Sequence, residues 1–339
     1  MAISNIDPTF PFIDLHRHLD GSVRLETILE LGRQHNIPLP GSTVEELRPH
    51  AQVTEPQPGL MAFLAKMLWA TQVLADGEAC RRIARENVED AQREGIDYLE
   101  LRFSPYFMAE PHQLDMAEVI EGAVAGVAEG MESTGVRVNL IGILSRTYGA
   151  EVCHKELEAL LAYREHFVAL DLAGDEANYP APLFVEHFKK GRDAGWRVAV
   201  HAGEAGGPQS VWDAVKLLGA ERIGHGTRAL EDPKLAEYLA EKRVPIEANL
   251  TSNVHTSTVA DLASHPLRKM MARGLVCSIN TDDPGLSGID LRHEFEVAAP
   301  AAGLSAEQIR QAQINALETA FLSEGEKREL GERRRRVEH

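Results

Sequence analysis

Residues 196–226 read WRVAVHAGEAGGPQSVWDAVKLLGAERIGHG. Trp196 to Val200 is a short apolar run, Ser210 to Leu218 reads as a helix, and Arg222-Ile223-Gly224 is a second short run. Gly195 and Gly219 stand just ahead of the two runs, where a glycine closes a preceding helix in the left-handed conformation. The runs are too apolar for strands with one solvated face, so they predict parallel strands covered on both sides. Each ends on an ionisable residue among small ones, His201-Ala202-Gly203-Glu204 and Gly224-His225-Gly226.

The same unit repeats in both directions. Upstream, strands are predicted at Tyr98 to Phe103, Val136 to Leu144 and Phe167 to Leu172. The helices between them cover Asp115 to Ser133, Lys155 to His166 and Leu183 to Asp193. Downstream, helix Pro233 to Glu241 precedes strand Val244 to Ala248, and helix Pro266 to Arg273 precedes strand Leu275 to Ile279. Gly95, Gly135 and Gly274 repeat the helix-closing signal. With a first strand ending at Asp14 to His18, the count is eight βα units. That predicts a (β/α)8 TIM-type barrel, with one domain spanning residues 1–339. A doubly wound open sheet is the alternative, but no GxGxxG follows the first strand.

Extra helices are expected after strand one and at the C-terminus. Arg24 to Gln34 carries an apolar face, and Cys80 to Gly95 is charged and amphipathic. Thr43 to Gly59, with Pro49, Pro56 and Pro58, reads as a loop or insertion. Leu60 to Trp69 is unusually apolar and reads as core packing or as a lid over an apolar pocket. Ala306 to Ala320 and Glu324 to Arg336 end the chain as helices, the basic run Arg333 to Arg336 being a solvated helix end.

Composition narrows the function. The chain has 339 residues, a formal charge of −17, 44% hydrophobic and 26% charged residues, as in a soluble globular protein. The acidic balance argues against a nucleic-acid partner. No apolar run approaches the roughly 20 residues of a membrane span, and no signal peptide is read at the N-terminus. Cys80, Cys153 and Cys277 form neither a CxxC nor a disulfide framework, which suits a reducing cytoplasm.

A barrel gathers the C-terminal ends of its strands on one face, where chemistry sits. Strand one delivers His16, His18 and Asp20 from DLHRHLDGS (14–22); the two histidines, two residues apart, share a face. Strand five delivers His201 and Glu204, strand six His225, and strand eight Asn280-Thr281-Asp282-Asp283. Singly, an HxH is a polar pair at a strand end and Asp-Asp-Pro-Gly a turn. On convergent strand ends, His16, His18, His201 and Asp282 make a metal set that suits zinc; Fe²⁺, Co²⁺ or Mn²⁺ fit the same ligand types. Glu204 and His225 remain outside that set. An enclosed carboxyl at 204 is raised in pKa and serves as a proton donor, rather than as a helix cap. His225 is a partner for metal-bound water, rather than a polar turn residue.

The motifs LHRHLDGS (15–22), SRTYG (145–149), DLAGDE (171–176), HAGE (201–204), RIGHG (222–226) and NTDDPG (280–285) occur in this order. With them the chain, from Phe12 to about Leu330, resembles the adenosine deaminase family of metal-dependent amidohydrolases, in its bacterial branch. The resemblance implies one Zn²⁺ per chain held by His16, His18, His201 and Asp282. It implies hydrolysis of adenosine, and of 2′-deoxyadenosine, to the inosine product and ammonia, with Glu204 and His225 catalytic. Glu204 would protonate purine nitrogen 1. His18, Asp20, Gly174 and Asp283 would bind substrate: Asp20 the ribose 5′-hydroxyl, the Gly174 N–H nitrogen 3, and Asp283 nitrogen 7. Phe63 to Trp69 would flank the pocket mouth.

Three other readings meet obstacles in the sequence. Another purine substrate is disfavoured by Asp20, which repels a 5′-phosphate and has no hydroxyl to meet on a free base. A binuclear amidohydrolase bridged by a modified lysine lacks its lysine at residues 171–176. A non-catalytic binding protein would have no use for the intact acid and base.

Overall fold

In the computed structural model, residues 5–337 are described. Eight strands, β1 (Ile13–His18), β2 (Tyr98–Phe103), β3 (Arg137–Ser145), β4 (Phe167–Ala173), β5 (Arg197–Ala202), β6 (Arg222–His225), β7 (Ile246–Ala248) and β8 (Cys277–Ile279), pair in chain order. Every adjacent pair is parallel. Helices pack outside, so the apolar runs are covered on both faces. This is the expected (β/α)8 barrel.

The barrel closes beyond the regular end of β8. Asp282 N–H donates to the His16 carbonyl and His18 N–H to the Asp282 carbonyl, both at 2.8 Å. Lower on the same seam, the side chain of Asn280 replaces a strand: its Oδ1 accepts Leu15 N–H at 3.0 Å. The Thr281 hydroxyl donates to Asp14 Oδ2 at 2.6 Å. The first and last strands are therefore stitched together at the residues predicted to carry the metal.

Helix ends follow the glycine signals. Gly95 and Gly135 close the helices Gly77–Glu94 and Met116–Thr134 at φ of 80° and 74°. Other elements differ from expectation. The proline-rich stretch after strand one holds a helix, Val44–Ala51, whose N-terminus is capped by Thr43 accepting from Glu46 N–H. Its Leu47 is fully buried, and that burial outweighs the backbone bond lost at the internal Pro49. The helix predicted from Lys155 starts earlier, at Gly149. β7 and β8 are only three residues each, shorter than the expected Val244 to Ala248 and Leu275 to Ile279, though Pro245 and Val276 still accept backbone N–H bonds from Ile223 and Ile246. The basic run near the C-terminus is partly anchored: Arg334 donates to the Pro8 carbonyl and pairs with Asp97, and Arg333 donates to the Gly135 carbonyl. Arg336 lies outside the described side chains. Among the described residues no helix is long and apolar enough to cross a membrane.

Replacing Asn280 with Ala leaves the Leu15 N–H buried without an acceptor. A loss of about 1–3 kcal/mol in unfolding free energy is expected from urea titration, since a buried donor without a partner costs that much.

Candidate active site

His16 and His18 face inward from β1, His201 ends β5, and Asp282 follows β8. Their ligating atoms lie within 4.8 Å of one another. His16 Nε2 and His201 Nε2 are 3.0 Å apart, and His18 Nε2 and His201 Nε2 are 3.2 Å apart. Asp282 Oδ1 is 3.0 Å from His16 Nε2 and 3.2 Å from His18 Nε2. Asp282 holds a φ of 66°, unusual for a residue with a Cβ, which turns its carboxylate back into the barrel.

The other face of each imidazole decides what these atoms are. His16 Nδ1 is 2.7 Å from Glu247 Oε2, and His201 Nδ1 is 3.0 Å from Asp171 Oδ2. Both carboxylates are fully buried. Burial alone would raise their pKa values, but the guanidiniums of Arg102 and Arg222 hold Glu247 well below the usual range. His201 and Arg102 do the same for Asp171. An ionised carboxylate only accepts, so Nδ1 of each histidine donates, and a neutral ring then keeps its lone pair on Nε2; burial lowers the His201 pKa to about 4. Lone pairs and a carboxylate oxygen converging at 3.0–3.2 Å repel one another without a cation. The spacing also matches the edge of a tetrahedron, about 3.3 Å for bonds of about 2.0–2.1 Å. The donor set and its geometry fit a zinc ion.

Around this cluster sit the other predicted residues. Glu204 is buried, with Oε2 at 3.6 Å from His225 Nε2. Gly207, not Glu204, stands at the N-cap of the next helix, Pro208–Asp213. The Glu204 loop is shaped by Glu176, whose carboxylate accepts N–H bonds from Gly203, Glu204, Ala205 and Gly206 at 2.7–3.1 Å. Burial, then the nearby charges of Asp282, Glu176 and Asp283, push the Glu204 carboxyl well up, so it holds a proton. Asp283 is likewise pushed well up, by burial and by Asp282 and Asp20. Asp20 is raised by burial. Asp20 Oδ1 and Asp283 Oδ1 are buried with no hydrogen-bond partner in the protein, a combination expected of groups that wait for a ligand. Asp20 lies in a short 3₁₀ turn (Asp20–Ser22), so the chain turns after His18 as Gly21 suggested.

A cavity of about 300 Å³ opens on these groups. His18, Asp20, Gly174, His201, Glu204, His225, Asp282 and Asp283 line its polar end, and no lysine or arginine lines it. Gly174 has a φ of 107°, and a Cβ there would come within 2.4 Å of Thr147 Oγ1; only glycine brings the backbone this close. The apolar end is the helix Leu60–Gln72. Its Phe63 and Met67 pack against Val53 and Leu286, while Met61 and Leu68 are exposed at the cavity mouth. One helix thus serves as local core and as one wall of the mouth.

Every predicted site residue therefore falls in one place. Sequence reasoning gave no role to the groups that aim the histidines and Asp282: Glu247, Asp171, Arg102, Arg222 and Ser252, whose hydroxyl donates to Asp282 Oδ2 at 2.6 Å. A signal existed, because charged residues inside three- to seven-residue apolar strands must be paired. Glu247→Gln removes the ionised acceptor from His16 Nδ1. A 10–100-fold loss of zinc affinity is expected, as for other partners of metal-bound histidines, measured by competition with a chromophoric chelator.

The model of the family described as adenosine deaminase matches residues 11–336. An adenosine deaminase of Salmonella dublin is 58% identical over 328 residues, covering 97% of this chain and 98% of that one. An adenosine deaminase of Escherichia coli O1:K1 / APEC matches at the same identity and coverage. Among solved structures, the adenine deaminase AAur1117 from Arthrobacter aurescens superposes with a TM-score of 0.89. It is 27% identical, over 97% of this chain and 99% of that one.

Proposed function

We propose that this chain, which belongs to the adenosine deaminase family, hydrolyses adenosine to inosine and ammonia. The observation that carries the reading is a zinc-type donor set facing a buried, protonated carboxyl across a cavity of nucleoside size. Zinc, held by His16, His18, His201 and Asp282, supplies the positive charge that makes water nucleophilic near neutral pH.

The side chains supply the rest. A carbon–oxygen bond forms at purine carbon 6 and the bond to the exocyclic nitrogen breaks; of the two water protons, one leaves with that nitrogen as ammonia and the other restores the Glu204 carboxyl. Glu204 gives its proton to ring nitrogen 1, so that the attacked ring does not accumulate negative charge. Asp283, held protonated, donates a hydrogen bond to nitrogen 7, which only accepts. The Gly174 N–H serves nitrogen 3, His18 and Asp20 face the ribose side, and His225 sits where it meets the attacking oxygen. The helix Leu60–Gln72 keeps bulk water from the purine.

Two features favour the nucleoside. The unpartnered Asp20 Oδ1 suits a hydroxyl donor such as the ribose 5′-OH. A 5′-phosphate would meet that carboxylate with no lysine or arginine in the lining to compensate. Nothing in this assignment uses the ribose 2′-hydroxyl, so 2′-deoxyadenosine is a substrate on the same reading.

The test is incubation of metal-analysed protein with adenosine, 2′-deoxyadenosine, adenine and adenosine monophosphate, following ammonia and the purine absorbance. The two nucleosides are expected to react, and preference for adenine or the nucleotide contradicts the reading. Glu204→Gln keeps size and shape without a carboxylic proton; kcat should fall by about 10⁴-fold, the upper range for a general acid. Zinc content should be unchanged, and a variant that loses its metal makes Glu204 a ligand instead. Asp20→Ala should weaken turnover of adenosine far more than metal binding, compared by steady-state kinetics and elemental analysis.

A further inference from the structure

Behind His225, on the side away from the metal ligands, three buried residues form a hydrogen-bonded chain. Asn253 Nδ2 lies 2.9 Å from His225 Nδ1, and His265 Nε2 lies 3.1 Å from Asn253 Oδ1. Leu267 N–H donates to His265 Nδ1 at 3.1 Å. Asn253 and His265 are both buried, and neither lines the cavity. They come from the helix Leu250–His255 after β7 and from the residue before Pro266, and the reaction as described uses neither.

The direction of the chain can be read from its far end. A peptide N–H can only donate, so Leu267 fixes His265 Nδ1 as an acceptor. Burial pushes the His265 pKa down to about 3, so the ring is neutral and its one proton is on Nε2. That proton needs an acceptor, which orients the Asn253 amide with Oδ1 toward His265. The Nδ2 amide then faces His225 and donates to Nδ1. Asn249 Nδ2 lies 3.3 Å from Nδ1 and 3.5 Å from Nε2, so it does not choose between the two ring nitrogens, and Asn253 does. His225 Nδ1 is left with a lone pair, and the proton of the neutral ring is on Nε2. That nitrogen points into the site, 3.6 Å from Glu204 Oε2 and 3.8 Å from Asp282 Oδ2. The φ of 65° at His225 sets the ring at this angle.

We propose that Asn253 and His265 are positioning residues that hold His225 in its Nε2–H tautomer, making it a hydrogen-bond donor to the attacking oxygen rather than the base that removes its proton. The proposal rests on the deaminase reading only for what the donor serves. An Nε2–H cannot accept a proton from water, but it can orient that water and stabilise the negative charge that builds on its oxygen. The wrong tautomer of a catalytic histidine is known to lower kcat by about 10⁴-fold where an aspartate sets it in serine proteases.

The tautomer is read directly in the zinc-loaded protein. With ¹⁵N-labelled histidine, two-bond proton–nitrogen correlation spectra distinguish a pyridine-like from a pyrrole-like ring nitrogen. The His225 signals are assigned by their loss in His225→Gln. The expected result is a pyridine-like Nδ1 and a pyrrole-like Nε2; a protonated Nδ1 overturns the proposal. Asn253→Asp replaces the amide donor with an acceptor of the same shape and should move the proton to Nδ1. Adenosine kcat should fall by about 10²-fold or more, with KM and zinc content within about threefold of the parent. His265→Gln retains an N–H for Asn253 Oδ1 and should keep more activity than His265→Leu. An Asn253→Asp variant that is fully active with its proton moved to Nδ1 also overturns the proposal. Should the parent protein leave adenosine unchanged while showing the Nε2–H tautomer, the relay stands and the deaminase reading falls.

Discussion

Inside the barrel, beside His16 and His201, five buried charges touch in a line: Glu100, Arg222, Glu247, Arg102 and Asp171. Each comes from a different strand or a different turn of the pleat, and each is fully buried or nearly so. Burying one such charge alone costs several kcal/mol, so the five persist only as a set in which every carboxylate meets a guanidinium. The rest of the site hangs on this set. Glu247 and Asp171 hold the Nδ1 protons of His16 and His201, and that is what leaves the opposite nitrogens bare and convergent. The Arg102 guanidinium also donates to the Leu15 carbonyl, tying the set to the strand that carries both histidines.

Charge balance points the same way. Three carboxylates and two guanidiniums leave one negative charge, and Asp282 adds a second. Two net negative charges beside the imidazoles suit a dication. On the other side of the histidines the arrangement reverses: burial and the charge of Asp282 push the Glu204 and Asp283 carboxyls well up, toward the protonated form that donates. The barrel thus keeps carboxylates ionised on one side of the histidines by pairing them with arginine. On the other side it keeps them neutral by crowding them with acids. The same residue type does opposite work because its neighbours differ.

Much of this was legible in the sequence. The spacing of apolar runs and helix-closing glycines such as Gly95 and Gly135 carries the eightfold alternation, because buried parallel strands and helix ends have strong local chemistry. His16, His18, His201 and Asp282 were legible as a convergent set because each stands near or just past the C-terminal end of a strand, and barrels collect strand ends. The helix Val44–Ala51 was hidden by Pro49, since Leu47 is stabilised by contacts remote in sequence. The partners of the histidines were hidden for a related reason. Glu247 stands 231 residues from His16, and no local pattern says which imidazole it will meet. His225, Asn253 and His265 likewise join only once β6, β7 and the following loops are in place.

The most direct measurement is an anomalous difference map, recorded at the zinc edge from crystals of the protein grown with zinc. One peak per chain is predicted, within bonding distance of Nε2 of His16, His18 and His201 and of Asp282 Oδ1, with His16 and His201 still bonded to Glu247 and Asp171. A peak bound elsewhere, two metals bridged in the cavity, or no peak beside these four residues would contradict the account.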